Sequence, residues 1–378
     1  MTLFEYLGSA GQERIHTQTL AWLLTPSTSP LTVAHRVAIL RALKVDCTDA
    51  DAEVLRVQTE LFSLDMICSA PGVLLVLENK LKSRQSYRQL SRYDEVIPKV
   101  QDLFGPNDKL RKVFLTLSHE KAGSNRPGEW TNIDYSALLQ PMATAATDTN
   151  NPYVSDYASL LSRMVKARDA FISNPGAFPA VVDRVSWSAE KRLKSPLPAD
   201  TTDEERFVCN NRLERIFIET LLRNLVNEVG NAVIDSGARG MPLVQVPLYL
   251  VQLDPGVWYE AGFQLQDKRL KLTIAHIDYK TSSRNEKEGF HGNRFLKLSG
   301  GRESTEGKTR DYHSWIWPAP PELIFDQNTG VCFSSAFAKE VTAAQNVWGE
   351  TLKPLVDNNE LVSFELWTSA RAEELVAA

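Results

Sequence analysis

The chain has 378 residues, 43 % hydrophobic and 24 % charged, ordinary values for a globular protein with room for two cores. Its formal net charge of −5 argues against an indiscriminate nucleic-acid binder, so local basic clusters say more than the total. No apolar run reaches membrane-span length, MTLFEYLGSAGQER lacks a leader pattern, and Cys47, Cys68, Cys209 and Cys332 are spaced for neither a zinc knuckle nor a disulfide framework. These features predict a cytoplasmic protein in a reducing compartment.

The first predicted element is a helix over residues 11–24, with Ile15, Thr19, Trp22 and Leu23 as its buried stripe. Glu13 and His16, three residues apart, face roughly the same side of it. Residues 32–43 form a second, short helix, and residues 53–61 alternate as an edge strand. Two strands then flank Ser69-Ala70-Pro71-Gly72, a turn signal in which Pro fixes φ and Gly can take φ > 0. A hairpin closing on Ala70-Pro71 sets Asp65 opposite Val76, and one closing on Pro71-Gly72 sets it opposite Glu78. Parity is the same in both registers, so Asp65, Glu78 and Lys80 share one face.

Five apolar residues, Val73 to Leu77, suit a strand buried on both faces. Glu78 and Lys80 then lie at the mouth of a core, where unpaired charge is costly. A divalent metal with a phosphate is a natural compensation, although D…ExK by itself is a short motif that a solvated strand exit also produces. Residues 83–97 follow as an amphipathic helix that sets Gln89 and Tyr93 one turn apart on one face. From Lys80 to Arg92 the basic residues are Lys80, Lys82, Arg84, Arg88 and Arg92, with no acid between them. Arg84, Arg88 and Arg92 recur every fourth residue. Such a row is either a solvated helix face or a phosphate-backbone track, and its place directly after ExK favours the track. Residues 112–117 make another apolar strand, followed by His119 as a loop histidine. The order is helix, three strands, helix, strand.

In this arrangement the chain resembles the PD-(D/E)XK nuclease superfamily, especially a branch with an N-terminal E-x-x-H-[ST]…LAWLL helix, an acidic motif, ExK and Q-x-x-x-Y. The residues that carry the likeness are Glu13, His16, Thr17, Leu20 to Leu24, Asp65, Glu78, Lys80, Gln89 and Tyr93, over about the first third of the chain. Leu24-Thr25-Pro26 departs from an Asp that often precedes this Pro, and no Pro precedes Asp65. The resemblance implies an α/β, restriction-endonuclease-like α-β-β-β-α-β core and a metal-dependent nuclease, with DNA preferred to RNA and a role in host defence or restriction. It implies Asp65, Glu78, Lys80 and Gln89 as catalytic residues, and Glu13, Asp65, Glu78 and the carbonyl of Asn79 as ligands of Mg²⁺ or Mn²⁺. Glu60, five residues before Asp65, competes with Glu13 as the third carboxylate. Tyr93 braces Gln89, and His16 is either a supporting site group or a helix-packing residue. A nuclease fold kept as a binding or assembly module is the rival reading, with a second copy or a defence protein as partner.

The remaining sequence predicts a domain at 1–145, a helical connector at 146–240 and a C-terminal α+β domain at 241–378. Residues 143–152 read as a small polar linker and 153–172 as an amphipathic helix. Thr202-Asp203-Glu204-Glu205 is a capping-box signal for a helix running to about Val229. Strands are expected at 244–253, Val257–Gln266 and 270–278, with shorter ones near Phe295 and at 363–367, and a helix at 335–352. Residues 268–310 are basic and rich in Gly and Ser, which suits a solvated insertion better than a loop closing over nucleic acid. Trp315 and Trp317 beside Pro318 read as core or interface rather than base-stacking residues.

Overall fold

The computed structural model describes residues 1–81, 89–104, 110–122, 130–184, 195–236, 242–266, 269–277, 312–317 and 334–377. Arg84, Arg88, the strand expected near Phe295 and most of the basic insertion lie outside these. The described residues form two compact units: 1–173, 178–184 and 195–220 in the first, 174–177 and 221–377 in the second.

The first unit begins with α1 (Leu3–Tyr6), α2 (Glu13–Leu24), α3 (Val33–Ala42) and α4 (Asp49–Glu53). Its sheet comprises β1 (Arg56–Thr59), β2 (Met66–Ala70), β3 (Val73–Lys80), β4 (Leu110–Thr116) and β5 (Trp130–Asp134), hydrogen-bonded in that order. α5 (Gln89–Phe104) connects β3 to β4. Strands β1, β2 and β3 run antiparallel, whereas β3, β4 and β5 are parallel, so the last three strand ends with C-terminal polarity lie side by side. Beyond β5 come α6 (Leu139–Thr149), α7 (Pro152–Ser173) and α8 (Pro179–Arg184), then the helices Asp203–Asn210 and Glu214–Leu225.

All eight residues of β3 are buried, as a strand covered on both faces requires. On one face Leu74 and Val76 join Ile67, Phe114 and the α5 stripe Leu90, Tyr93, Ile97 and Val100 in a single core. Full burial of such side chains contributes about 1.5–3 kcal/mol each. Trp130 at the start of β5 donates its indole N–H to Asp94 of α5, and Lys112 of β4 pairs with the same carboxylate oxygen, both at 3.1 Å. The opposite face of β3 receives α2.

Several local expectations are corrected. Only residues 56–59 of the expected edge strand pair with β2, because Thr48 caps α4 through a reciprocal box with Asp51 and holds residues 49–53 helical. The buried stripe of α2 is His16, Thr17, Leu20, Ala21, Leu23 and Leu24, with Ile15, Thr19 and Trp22 half-buried. Most of the expected linker at 143–152 is the second half of α6, which ends at Asn150 with φ +48°. The helix expected from residue 202 to about 229 is broken after Asn210, where Arg212 takes φ +56°.

The second unit is an antiparallel sheet ordered β10 (Tyr312–Ile316), β9 (Arg269–His276), β8 (Val257–Gln266), β7 (Pro242–Asp254) and β11 (Ser363–Leu366), with β6 (Val233–Ser236) also paired to β7. The helix Ser334–Asp357 buries Phe337, Val341, Ala344, Trp348 and Leu352 against Val246, Phe263 and Leu272. Trp348 Nε1 donates to the Gly262 carbonyl at 3.0 Å. A Cβ at Gly262 would meet the Val246 carbonyl oxygen at 2.8 Å, so the close approach of β7 and β8 requires glycine there. Trp315 is 2 % exposed and stacks edge-on to Trp348, a core position. No described helix is long and apolar enough to cross a membrane.

Candidate active site

The β2–β3 hairpin turns at Pro71-Gly72, pairing Ala70 with Val73 and Met66 with Leu77. Continued by one step, this register sets Asp65 opposite Glu78. Gly72 has no left-handed φ; its N–H donates to Asp51 Oδ1 at 2.9 Å, and a Cβ there would lie 3.0 Å from Asp51 Oδ2. A side chain at position 72 would therefore need the Asp51 carboxylate to give by a few tenths of an ångström.

Past Met66 the β2 edge of β3 loses its ladder partner, and two carboxylates take up the exposed amides. Asp65 Oδ2 accepts from the Asn79 N–H at 2.7 Å, and Glu13 Oε2 accepts from the Leu81 N–H at 2.7 Å. Within a strand the N–H and C=O of one residue face the same neighbour, so the Asn79 carbonyl also faces the Asp65 edge.

Glu78 is 1 % exposed. Its Oε1 lies 2.6 Å from Lys80 Nζ and accepts from Gln89 Nε2 at 2.7 Å. The same Gln89 nitrogen donates to the Tyr93 hydroxyl at 2.7 Å, one helical turn away. Oε2 of Glu78 is buried and meets no donor among the described residues, while the Asp65 carboxyl lies within hydrogen-bonding reach of Glu78. Two carboxylates in contact need a proton or a cation between them. Burial first, and then the Asp65 charge, push the Glu78 carboxyl up to about 7. Asp65 is also raised by burial, against the lowering effect of the Asn79 N–H. Burial pulls the Lys80 ammonium down, but Glu78, Glu13 and Asp65 outweigh it and hold the group above its ordinary value.

Thus Glu13, Asp65, Glu78, Asn79, Lys80, Gln89 and Tyr93 come together at the C-terminal end of β3. Glu60 does not join them: it takes φ +59°, and its largely exposed carboxylate pairs with Arg14 at 3.1 Å. His16 is fully buried, with Nε2 donating to the Ala10 carbonyl at 2.8 Å and Nδ1 3.3 Å from the Tyr157 hydroxyl. Arg92 is exposed on α5. Beyond β4, His119 adopts φ +57° with Nε2 3.6 Å from Asp134, whose carboxylate Arg168 grips at 2.5 Å. Despite its own burial, Asp134 is held below the usual carboxylate range by Arg168. Tyr135 went unnoticed in the sequence. It follows β5 with no motif around it, yet its hydroxyl donates to Asn79 Oδ1 at 2.6 Å.

Among the described residues no group of three His, Cys, Asp or Glu side chains is disposed to hold a metal ion. The donor chemistry nevertheless fits a hard divalent cation: two carboxylates in contact, one with a buried oxygen lacking a donor, beside a main-chain carbonyl.

The first unit is a mixed sheet flanked by helices, with Asp65, Glu78 and Lys80 gathered at one strand end, an arrangement consistent with a restriction-endonuclease-like α/β core. The family model of the PD-(D/E)XK nuclease superfamily matches residues 2–159, so over this part the chain is similar to that superfamily. No curated protein and no solved structure matches the chain.

Proposed function

We propose that the protein is a metal-dependent nuclease that hydrolyses phosphodiester bonds, in DNA rather than RNA, in the cytoplasm and in a defence or restriction setting. The observation that carries this reading is the contact of the Asp65 and Glu78 carboxyls beside Lys80 Nζ, which lies 2.6 Å from Glu78. Asp65, Glu78 and the Asn79 carbonyl would hold Mg²⁺ or Mn²⁺, with Glu13 completing the shell directly or through water. Such a cation, when bound, acidifies a water and offsets charge developing on the scissile phosphate.

The chain's own groups do the rest. Lys80 stays cationic and orients the attacking water or stabilises charge on the phosphoryl oxygens. Gln89, held beside Glu78 and Tyr93 through its Nε2, would exchange one of these bonds for a contact with the water or the phosphate. Arg92, with Arg84 and Arg88 from the same sequence row, contacts backbone phosphates and positions the strand without reading sequence. Residues 1–145 form the nuclease domain in this reading, 146–240 a connector and 241–378 a domain that serves assembly with a second copy or a defence partner. The DNA preference and defence setting rest on superfamily association.

The test is purified protein on linear, circular, single- and double-stranded DNA and on RNA, with Mg²⁺, Mn²⁺ or chelator. Cleavage of DNA that requires the cation is expected. Binding without cleavage under every cation favours the assembly-module alternative, and cleavage confined to RNA overturns the substrate assignment.

A further inference from the structure

Asn79 lies between Glu78 and Lys80, and its side chain points to the opposite face of β3, where it is 1 % exposed. Every polar atom of that amide is engaged. Oδ1 accepts from the Tyr135 hydroxyl at 2.6 Å, while Nδ2 donates to Thr17 Oγ1 at 3.0 Å and to the Glu13 main-chain oxygen at 3.4 Å. Glu13 is therefore held at both ends, its carbonyl by the Asn79 side chain and its carboxylate by the Leu81 N–H at 2.7 Å. Tyr135 in turn packs edge-on against His16, one residue before Thr17, with ring centroids 5.9 Å apart.

We propose that Asn79, Tyr135 and Thr17 form a positioning network that fixes α2 and its Glu13 in register with the end of β3. The inference rests on the nuclease reading above, and it makes these three side chains positioning groups, the Asn79 carbonyl keeping its separate role towards the cation. An amide is needed because it combines an acceptor for the tyrosine hydroxyl with two N–H donors. Aspartate would set a carboxylate against the Glu13 carbonyl, and leucine would leave the Tyr135 hydroxyl without this acceptor and remove both Nδ2 bonds to α2. Loosening the network lets α2 slide along β3, and a misplacement of about 1 Å costs roughly 10²-fold in rate.

The experiment compares wild-type protein with Tyr135→Phe, Thr17→Val and the double variant, which remove hydroxyls and leave shape nearly unchanged. It reads amide exchange at Leu81 against Val113 and Leu115 of β4, Mn²⁺ affinity, and kcat and KM on DNA. The expected result for the double variant is Leu81 exchange faster by about 10-fold with β4 unchanged, weaker Mn²⁺ binding, and kcat down by about 10-fold at constant KM. Thr17→Ser should behave as wild type. A folded double variant with wild-type Leu81 exchange and Mn²⁺ affinity overturns the inference. So does faster exchange spread equally over β4, which marks a purely structural role. If the double variant fails to fold, Thr17→Val against Thr17→Ser decides by the same criteria. Wild-type protein that neither binds Mn²⁺ nor cleaves sinks the nuclease reading alone, and Leu81 exchange still judges the network.

Discussion

Glu78 carries a pH signature close to neutrality. Its carboxyl is raised by burial and by Asp65 from 4.5 to about 7, so the folded chain prefers the protonated form. The stability this contributes is fully present below pH 4.5 and is lost as the pH rises through 7, on the order of 3 kcal/mol in metal-free protein. Asp65, also raised, adds to the loss in the same direction. Urea midpoints in chelator should therefore fall between pH 5 and pH 8 for wild type and fall much less for Glu78→Gln; equal slopes would refute the assignment. Lys80 makes a different prediction. The ammonium sits 2.6 Å from Glu78 on a residue only 9 % exposed, which suits the proposed catalytic role better than gripping a duplex. Lys80→Ala should lower kcat by about 10²–10³-fold while DNA affinity changes little. The Glu78 carboxyl should rise further in that variant, because the nearby cation no longer lowers it, so the assay is repeated near pH 8.5 to separate this from lost catalysis. Undiminished cleavage at both pH values removes Lys80 from the catalytic set.

Among the elements, α5 carries both Gln89 of the site and Arg92 of the proposed phosphate track. Its buried stripe Leu90, Tyr93, Ile97 and Val100 packs on β3, which leaves Arg92 exposed. Replacing Arg84, Arg88 and Arg92 by Ala should weaken DNA binding and flatten its salt dependence by a slope of about 1 per lost phosphate contact, with kcat at saturating DNA retained. A salt slope equal to that of wild type would return the row to an ordinary solvated face. The sequence makes α5 and β3 readable for physical reasons: a 3.6-residue stripe in one, five consecutive apolar residues ending in charge in the other. Side-chain alternation likewise fixes Asp65, Glu78 and Lys80 to one face in either hairpin register, and only the turn chooses between them. The buried face of α2 is less readable, because hydrophobic counting misses polar residues whose bonds are satisfied inside. His16 reaches the Ala10 carbonyl and Tyr157, and Thr17 reaches Asn79, so both are buried and the stripe is rotated by one position. Small polar composition hides α6 in the same way, although its alanines at 143, 145 and 146 favour helix strongly. β5 is five residues long with apolar positions only at Trp130 and Ile133, too little alternation to mark a strand.

At the scale of the whole molecule, each unit has a core of its own: the first around Ile67, Val76, Phe114 and α5, the second around Phe263, Phe337 and Trp348. The sequence predicts strands at 244–253 and Val257–Gln266, which the structure forms as Pro242–Asp254 and Val257–Gln266, whereas the purpose of the second unit is not legible, since a sheet backed by a helix serves many functions. Separate cores allow separate unfolding, and a site built only from the first unit should couple a cation to that unit alone. Calorimetry should then show two transitions, assigned by amide exchange in β4 and in β8. Mn²⁺ at about 100 times its dissociation constant should stabilise the β4 transition by about 2.7 kcal/mol and leave the β8 transition where it is. Asp65→Asn removes one of the two carboxylates in contact and should abolish the shift without changing the β8 transition. A cation that stabilises β8 instead, or that acts undiminished on Asp65→Asn, would move the metal site away from the end of β3.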